Sequence, residues 1–266
     1  MPTKLDNYTF EDFGLIEEFG HVHPSTPEFN EQTLSVPGLP GLLGFGTQIG
    51  AKQFSLPVKV FVRDRYERQR IKNKFVAFLF DEYRQPREFK LSFDYEQDKY
   101  YIAKIASQFT PEMLFQMDQF ELPLVANDST KYFLIDADEI RMGSHIPILS
   151  HVRPARHSFN ISDNQTIQII NEGTLALRPR ILISGRATTL TVTNTRNGKS
   201  FNMSNIVSGS PVIVEGETYL VTVGGVDTFS KLVGDFIDLL PGENNLAISG
   251  TNLSLTMSFK YKSQFM

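Results

Sequence analysis

Residues 54–79, FSLPVKVFVRDRYERQRIKNKFVAFL, place a strand pattern directly before a helix pattern. Apolar side chains first recur at every second position, from Phe54 through Leu56 and onward to Val62, which is typical of a half-buried strand. Asp64, with Glu67 three residues later, then predicts a helix start, and apolar residues follow at helical spacing: Ile71, Phe75, Phe78 and Leu79. Because Arg84-Gln85-Pro86 interrupts the pattern, we expect one helix over about 65–84.

Further alternating stretches follow the helix pattern in the first half of the chain. They cover residues 89–95, 100–106 and 120–126. We therefore predict an α+β domain over residues 1–142, in which a sheet carries a single packed helix.

The second half of the chain consists of short β-branched segments separated by turn residues. The predicted strands are 166–170, 182–184, 190–193, 211–214, 219–223 and 236–240, and residues 252–262 alternate strictly between polar and apolar. Asn197-Gly198 predicts a two-residue type I′ turn in which Arg196 faces Lys199. These patterns predict an all-β sandwich over 143–266, so the protein is mainly β.

Net charge and turn-forming residues indicate where the two domains meet. Residues 1–140 carry 15 basic and 22 acidic residues, net −7, whereas residues 141–266 carry 11 basic and 8 acidic residues, net +3. Residues 143–155 contain Gly143, Pro147 and Pro154, which are typical of a connection between domains. We predict a linker over about 143–156.

Composition excludes several classes of protein. The chain has no cysteine, so disulfides, thiolate metal sites and cysteine nucleophiles are excluded. Its first residues lack the charged and apolar regions of a secretory signal, so we expect it to stay in the compartment where it is made. Its apolar stretches are far shorter than the ~20 residues that a membrane-spanning helix needs.

Candidate metal ligands occur in three places. His21 and His23 would share one face of a strand, but two ligands do not make a zinc site, and we interpret them as surface histidines. The carboxylates of Asp136, Asp138 and Glu139 lack the glycine and later glutamate of a calcium loop, so a polar turn is favoured. The last set recurs every six residues in or near the predicted linker, where we expect solvated side chains: His145, His151 and His157.

Motifs for nucleotide binding and hydrolysis are missing from the sequence. The glycines of residues 44–50 have the wrong spacing for a dinucleotide fingerprint and follow a loop instead of a strand. There is neither a phosphate-binding loop nor a nucleophile elbow. We predict no enzyme activity, no catalytic residue, no cofactor and no metal.

Basic residues crowd the start of the predicted helix, among them Arg65, Arg68 and Lys72. A net charge of −7 in this half argues against specific nucleic-acid binding. A solvated helix face is one interpretation, and contact with an acidic face of a neighbouring copy is the other.

The Pro/Gly-rich stretch 24–50 is apolar but cannot form a regular helix. Leu39, Leu42 and Phe45 are its largest apolar residues near the centre. A long loop of this composition, without secondary structure of its own, is expected to pack against something, and a neighbouring subunit is a candidate.

Several stretches, taken in order, resemble the distal tail protein family of long-tailed, siphovirus-type phages of Gram-positive bacteria. In the first half these are Tyr8-Thr9-Phe10 with Asp12-Phe13-Gly14, the strand and single helix described above, and Lys99-Tyr100-Tyr101-Ile102-Ala103-Lys104-Ile105. In the second half they are Asn171-Glu172-Gly173-Thr174 and the turn Pro241-Gly242-Glu243-Asn244. The resemblance covers nearly the whole chain.

The resemblance implies a structural role in the virion, with synthesis in the cytoplasm of the bacterial host. Family members form a hexameric ring from their N-terminal domains at the distal end of the tail tube, and their galectin-like C-terminal sandwiches project outward. They join the tail tube protein to the tail-tip (tail-associated lysin-type) protein and often to receptor-binding proteins. In such a ring, complementary flanks would carry the contacts, and our candidates are Arg65, Arg68 and Lys72 against Asp94, Glu96 and Asp98, with Leu39, Leu42 and Phe45 from the loop.

A non-catalytic carbohydrate-binding module that recognises host cell-wall glycans is the alternative. Such sandwiches use exposed aromatic rings to bind sugars, and this chain has no tryptophan. Tyr219 and Phe229 are the candidates to replace it. An enzyme that acts on cell-wall polymer is a third class, for which no particular pair of carboxylates is indicated.

Overall fold

The computed structural model describes residues 3–134 and 157–266, and these divide into two compact units. The first unit comprises residues 1–131 with Met266, and the second comprises residues 132–265. The predicted boundary at 142/143 and the predicted linker 143–156 fall in a part of the chain outside the described residues and stay predictions.

The first unit is a sheet with one helix and a separate hairpin. Its elements are β1 (Lys4–Leu5), β2 (Tyr8–Thr9), β3 (Ile16–Glu17), β4 (Phe29–Leu34), β5 (Leu43–Ile49), β6 (Lys52–Val60), α1 (Arg65–Leu79), β7 (Phe89–Ser92), β8 (Lys99–Ile105), β9 (Glu112–Met113) and β10 (Asp118–Ala126). The antiparallel sheet has the order β2-β1-β7-β8-β10-β6-β3, with β9 paired to β10, while β4 and β5 pair only with each other.

Strand β6 and helix α1 together build the core of this unit. Leu56 and Val58 of β6 point inward and are fully buried, as the alternation predicts. Phe75 and Leu79 bring one stripe of α1 onto the same core at 1% and 0% exposure, and burying each side chain stabilises the unit by about 2 kcal/mol. The predicted α+β fold is confirmed.

Helix α1 begins where predicted but ends earlier. The Asp64 carboxylate accepts a hydrogen bond from the Tyr66 amide at 2.9 Å, which caps the helix start. The helix ends at Leu79, so the predicted extension to 84 is wrong. The Asp81 carboxylate instead accepts hydrogen bonds from the amides of Tyr83 and Gln85, which folds the chain into a tight turn.

The second unit is a sandwich of two antiparallel sheets, as predicted. Its elements are β11 (Lys131–Phe133, which begins at the division), β12 (Ser158–Ile161), β13 (Gln165–Asn171), β14 (Arg180–Asn194), β15 (Ser200–Ile206), β16 (Val212–Glu215), β17 (Leu220–Val223), β18 (Val226–Asp227), β19 (Leu232–Gly234), β20 (Gly242–Thr251), β21 (Ser254–Lys260) and β22 (Gln264–Phe265). One sheet has the order β12-β21-β14-β16-β17-β18, and the other runs β13-β20-β14-β15-β19.

Strand β14 belongs to both sheets. Residues 180–186 pair with β21, and residues 187–194 pair with β15 and β20, so the two predicted strands 182–184 and 190–193 are one 15-residue strand. Gly185 lies at the crossing with φ of 123°, and a Cβ there would lie 2.2 Å from the Ser254 carbonyl oxygen. Glycine therefore marks a change of sheet within one strand, not a turn between two strands.

Two local predictions in the second unit are wrong. Thr193 pairs with Ser200, and the Asn194 amide bonds to the Lys199 carbonyl, so Arg196 does not face Lys199. Only Gly198 of the dipeptide has a positive φ, which a type I′ turn would require at both positions. Residues 236–240 form no strand, because Leu239 makes a single bridge to Leu177.

Candidate subunit interface

A two-stranded hairpin, β4–β5, extends from the first unit and is here called the arm (residues 29–49). The expectation that residues 24–50 lack secondary structure is wrong for this part. The strands pair from Phe29–Ile49 to Leu34–Leu43 with an irregularity after Glu31. At the base of the arm, the Gly50 amide donates to the Glu28 carbonyl at 2.7 Å, so the arm is continuous with the unit.

Every residue of both arm strands is exposed, whereas the next strand, β6, has a buried residue at every second position. Of the predicted contact residues, Leu39 is 52% exposed, and Leu42 and Phe45 are each 67% exposed. A lone two-stranded hairpin is only marginally stable in water. Its apolar side chains contribute no hydrophobic stabilisation until another protein surface buries them. The arm is therefore an incomplete structure in a single copy.

The basic residues at the start of α1 have different surroundings. Arg65 is exposed, but Arg68 and Lys72 are buried, and both form ion pairs with the buried Asp118, at 3.2 Å and 2.7 Å. Arg68 also donates to the Val62 carbonyl at 2.9 Å. The charges of Arg68 and Lys72 are thus balanced inside the unit, which leaves Arg65 as the predicted contact residue with an outward charge.

The acidic segment is also paired within its own unit. Glu96 accepts hydrogen bonds from Lys99 at 2.9 Å and from Lys131 at 3.1 Å, and Asp98 lies 3.7 Å from Lys99. Burial by itself raises the pKa of Glu96, but the hydrogen bonds and charges of the two lysines outweigh it and lower the pKa. Asp94 is exposed. Among the described residues, no ion pair joins these acids to the basic residues of α1.

An apolar cleft, which the sequence patterns did not predict, runs along α1. This helix cleft has a volume of about 640 Å³, and its apolar lining includes Val76, Phe80, Ile105, Phe109 and Met113. Val76 lies off the core stripe of α1 at 38% exposure, which is the one sign of a second apolar face that the sequence carries. The other side of the cleft is lined by the end of β8 and the segment after it, residues 105–113, which only the tertiary structure brings to the helix.

A second cleft adjoins the first at Met113, which lines both. This arginine cleft is lined by Arg63, Arg65, Arg68 and residues 113–116. Phe115, at 92% exposure, stands at its rim. Arg63 and Arg65 form no ion pair with any residue in the part of the chain that the structure describes. The surface beside α1 is therefore apolar at one end and positively charged at the other.

His21 and His23 contact a network of tyrosine side chains. Both rings lie within hydrogen-bonding distance of the Tyr95 hydroxyl, at 3.2 Å and 2.5 Å, and His23 also reaches the Tyr101 hydroxyl at 3.1 Å. Both histidines are partly exposed, so they lie at the surface as interpreted, but tyrosine hydroxyls hold their rings. Within residues 3–134 and 157–266, no group of three or more His, Asp or Glu side chains is placed to hold a metal ion.

Burial dominates the titration of this network. It lowers the pKa of His23 to about 4, helped by the charges of Lys52 and Lys131. Burial also raises the pKa of Tyr95 to about 12 and lowers the pKa of Lys52, which donates to the Tyr101 hydroxyl at 3.1 Å. His23 is therefore neutral at pH 7 and acts as a structural hydrogen-bonding group.

In the second unit, the structure brings Tyr219 and Phe229 together. Both rings contact Phe236, with centroid distances of 5.2 Å and 6.2 Å, and their exposures are 50% and 55%. The Arg178 guanidinium lies 4.9 Å from the Tyr219 ring centroid. Tyr219 has φ of 56°, a conformation that costs a non-glycine residue of order 1–3 kcal/mol. This pair of aromatics is thus held in place at the surface.

The remaining predicted candidates lie elsewhere. Asp136, Asp138, Glu139, His145 and His151 are outside the described residues. His157 is buried at 8% exposure against Tyr261, with ring centroids 5.5 Å apart, so its assignment as a solvated side chain is wrong. No helix within the described residues has the length and apolar character needed to span a membrane.

Two family models match the chain, one for each unit. Residues 8–126 match a family described as "Phage tail protein RIFT-related domain", and residues 172–265 match "Siphovirus-type tail component, C-terminal domain". No curated protein sequence matches the chain.

A solved phage structure shares this fold. The Dit protein of phage SPP1, described as a paradigm of the hub adsorption apparatus in phages that infect Gram-positive bacteria, aligns with a TM-score of 0.71 and 14% identity over 98% of each chain. The phage P2 baseplate in its activated conformation with Ca aligns with a TM-score of 0.42 and 10% identity, over 97% of this chain and 94% of that chain.

Proposed function

We propose, from the premise that this chain belongs to the distal tail proteins of siphovirus-type phages, that six copies close into a ring at the distal end of the tail tube. As a component of a phage tail hub, the protein is a structural protein of the virion. In the proposed assembly the first unit forms the ring. The ring joins the tail tube protein to the tail-tip protein, and receptor-binding proteins attach around it. The chains are made in the cytoplasm of the bacterial host before they assemble.

The arm is the observation that carries this proposal. In a single copy, the large apolar side chains of the arm, including Leu42 and Phe45, are exposed to solvent. Removing apolar surface from water is favourable by roughly 25 cal/mol per Å² before the entropy cost of association is subtracted, so a neighbour that covers the arm can supply the stability that the hairpin lacks. An arm that docks on a different patch of the next copy gives a head-to-tail contact, and such contacts close into rings when the rotation allows.

Light scattering across a concentration series, with negative-stain imaging of the same sample, tests this proposal. Six copies of a 30.2 kDa chain weigh about 181 kDa, and we expect closed rings with a central opening. Replacing Leu42 and Phe45 together with serine should shift the mass toward the monomer. Val233→Ser in the second unit, at a site 69% exposed, is the matched control and should leave the mass unchanged. A monomer at every concentration, even with tail-tip protein added, would refute the ring.

Glycan binding by the second unit is a second candidate function, favoured by the pair Tyr219 and Phe229. Two half-exposed aromatic rings fixed against Phe236, with Arg178 beside one of them, offer stacking surfaces and a hydrogen-bond donor to a sugar. Binding of the full chain to immobilised Gram-positive cell-wall glycan, lost in Tyr219→Ala and Phe229→Ala but kept in Phe61→Ala, would support it. Equal binding by all three variants, or none by the unaltered chain, would exclude this site.

A further inference from the structure

We infer that a cleft in the second unit, at the point where β14 passes from one sheet to the other, binds a small sugar or polyol that carries an anionic group. This crossing cleft has a volume of about 510 Å³. Sites for small molecules typically enclose about 300–1,000 Å³. The cleft shares no residue with the pair Tyr219 and Phe229, and all of its lining belongs to one copy, so it exists whether or not the ring forms.

The change of sheet by β14 opens this cleft. Arg186 still pairs with Ser254 of β21, whereas Ala187 already pairs with Ile206 of β15. A strand that switches sheets forms a corner of a sandwich, and the two sheets separate there. Three chain segments therefore meet at the corner and line the cleft: residues 186–188 of β14, 205–207 at the end of β15, and 252–254 at the turn from β20 into β21.

Several polar side chains of the crossing cleft have no partner inside the unit. Arg186 is exposed and forms no ion pair with any described residue. Neither the Asn205 amide nor the Ser254 hydroxyl has a hydrogen-bond partner in the part of the chain that the structure describes. Asn252 is held in place, because its amide nitrogen donates to the Thr188 hydroxyl at 2.9 Å. A ligand can therefore bond to these groups without breaking an internal hydrogen bond of the side chains of Arg186, Asn205 or Ser254.

The backbone and the apolar lining also suit a ligand site. Asn205 and Asn252 both have φ of 53°, a left-handed conformation that non-glycine residues adopt rarely and that recurs at ligand-binding sites. The buried members of the lining are all apolar: Ala187, Ile206 and Leu253. Sugars and polyols combine apolar C–H groups with hydroxyls, so they match a cleft that combines buried apolar side chains with free amide and hydroxyl groups.

The charge of the lining selects an anionic ligand. It contains one arginine and no aspartate or glutamate. A guanidinium group binds a carboxylate or a phosphate through paired hydrogen bonds, whereas a neutral sugar would leave the charge of Arg186 without a counter-charge. Carboxylate and phosphate fit this chemistry equally well, so the experiment below includes one probe for each.

Titration of the full chain at low salt, followed by saturation-transfer NMR, tests this site with glycerol 3-phosphate, glucuronate and glucose. Arg186→Gln removes the charge, and Asn205→Gly removes the amide while it keeps a residue suited to positive φ. Arg180→Gln is the matched control, since Arg180 is exposed on the same strand but lies outside the cleft.

We expect at least one anionic probe to bind the unaltered chain and to bind Arg186→Gln about tenfold more weakly, because a charge-assisted hydrogen bond is lost. Asn205→Gly should also bind more weakly, and Arg180→Gln should bind as the unaltered chain does. A preference for glycerol 3-phosphate would identify phosphate as the recognised group, and a preference for glucuronate would identify carboxylate. Either preference supports the site.

Three results would overturn the inference. One is glucose binding as tightly as the anionic probes, the second is an equal loss in Arg186→Gln and Arg180→Gln, and the third is no binding of any probe to the unaltered chain. Tyr219→Ala separates this site from the aromatic pair. Binding lost in Tyr219→Ala but kept in Arg186→Gln would place the ligand on the aromatic rings and would also overturn it.

Discussion

The ammonium group of Lys72 lies 2.7 Å from the carboxylate of Asp118, and the two side chains are only 9% and 2% exposed. Arg68 pairs with the other oxygen of the same carboxylate at 3.2 Å. One acid thus compensates two buried cations that α1 brings toward β10. Two of the basic residues at the start of the helix, Arg68 and Lys72, are therefore part of the core. Their ion pairs with Asp118 hold α1 against β10.

Removal of this carboxylate should strongly destabilise the first unit. Asp118→Asn leaves two cations buried without a counter-charge, and breaking a buried pair costs about 3–5 kcal/mol. Urea unfolding followed by circular dichroism should show a lower midpoint for this variant. Glu88→Gln, which removes an exposed carboxylate from the same unit, should change the unfolding free energy by less than about 0.5 kcal/mol. Equal stability of the two variants would mean that the buried pair contributes nothing.

A change at the crossing point of β14 should destabilise the second unit. Gly185→Ala forces a Cβ to within 2.2 Å of the Ser254 carbonyl oxygen at a φ of 123°. We expect a loss of more than about 2 kcal/mol, since both steric overlap and backbone strain contribute. Gly44→Ala has no atom within 4 Å of the new Cβ and no positive φ, so it serves as the control in thermal unfolding. A tolerated Gly185→Ala would contradict the close approach of the strands.

The half-buried His23 should make the first unit less stable in acid. Because burial lowers its folded pKa to about 4, the unfolded state binds a proton first as the pH falls through its ordinary value near 6.5. The contribution of neutral His23 is thus fully present above pH 6.5 and declines as the pH falls toward 4. His23→Gln should flatten the unfolding free energy against pH in this window, whereas Val22→Ala should keep the slope of the unaltered chain. An unchanged slope in His23→Gln would show that another group titrates.

Charge reversal at the arginine cleft should weaken assembly. If Arg65 pairs with Glu31, the one charged residue of a neighbouring arm, Arg65→Glu replaces attraction with repulsion and should lower the affinity between copies severalfold, an effect that salt reduces. Arg70→Glu, also exposed on α1 but outside both clefts, is the control. Adding Glu31→Arg to Arg65→Glu should restore assembly in sedimentation at low salt. Equal weakening by Arg65→Glu and Arg70→Glu would point to net charge instead of a specific contact.

Local sequence patterns correctly predicted most strands and the start of the helix. A strand or helix that buries one face needs apolar residues at the fixed spacing of that element. Asp64 caps α1 as predicted, and the alternation of β6 and β21 matches their buried faces. Where a long-range partner decides the conformation, the same patterns failed. The predicted break between strands 182–184 and 190–193 is absent because the sequence does not reveal the second sheet that β14 joins, and the type I′ turn at Asn197 did not form.

The sequence by itself determined that the chain is mainly β with one helix, that its two halves differ in charge and architecture, and that residues 24–50 carry apolar side chains in need of cover. These properties follow from composition and periodicity, which are local. Only the tertiary structure decided that Arg68 and Lys72 turn inward to Asp118, that His23 joins a tyrosine network, and that α1 and the segment after β8 enclose a cleft. Each of these depends on residues far apart in the chain, and their proximity is set by the packing of the whole unit.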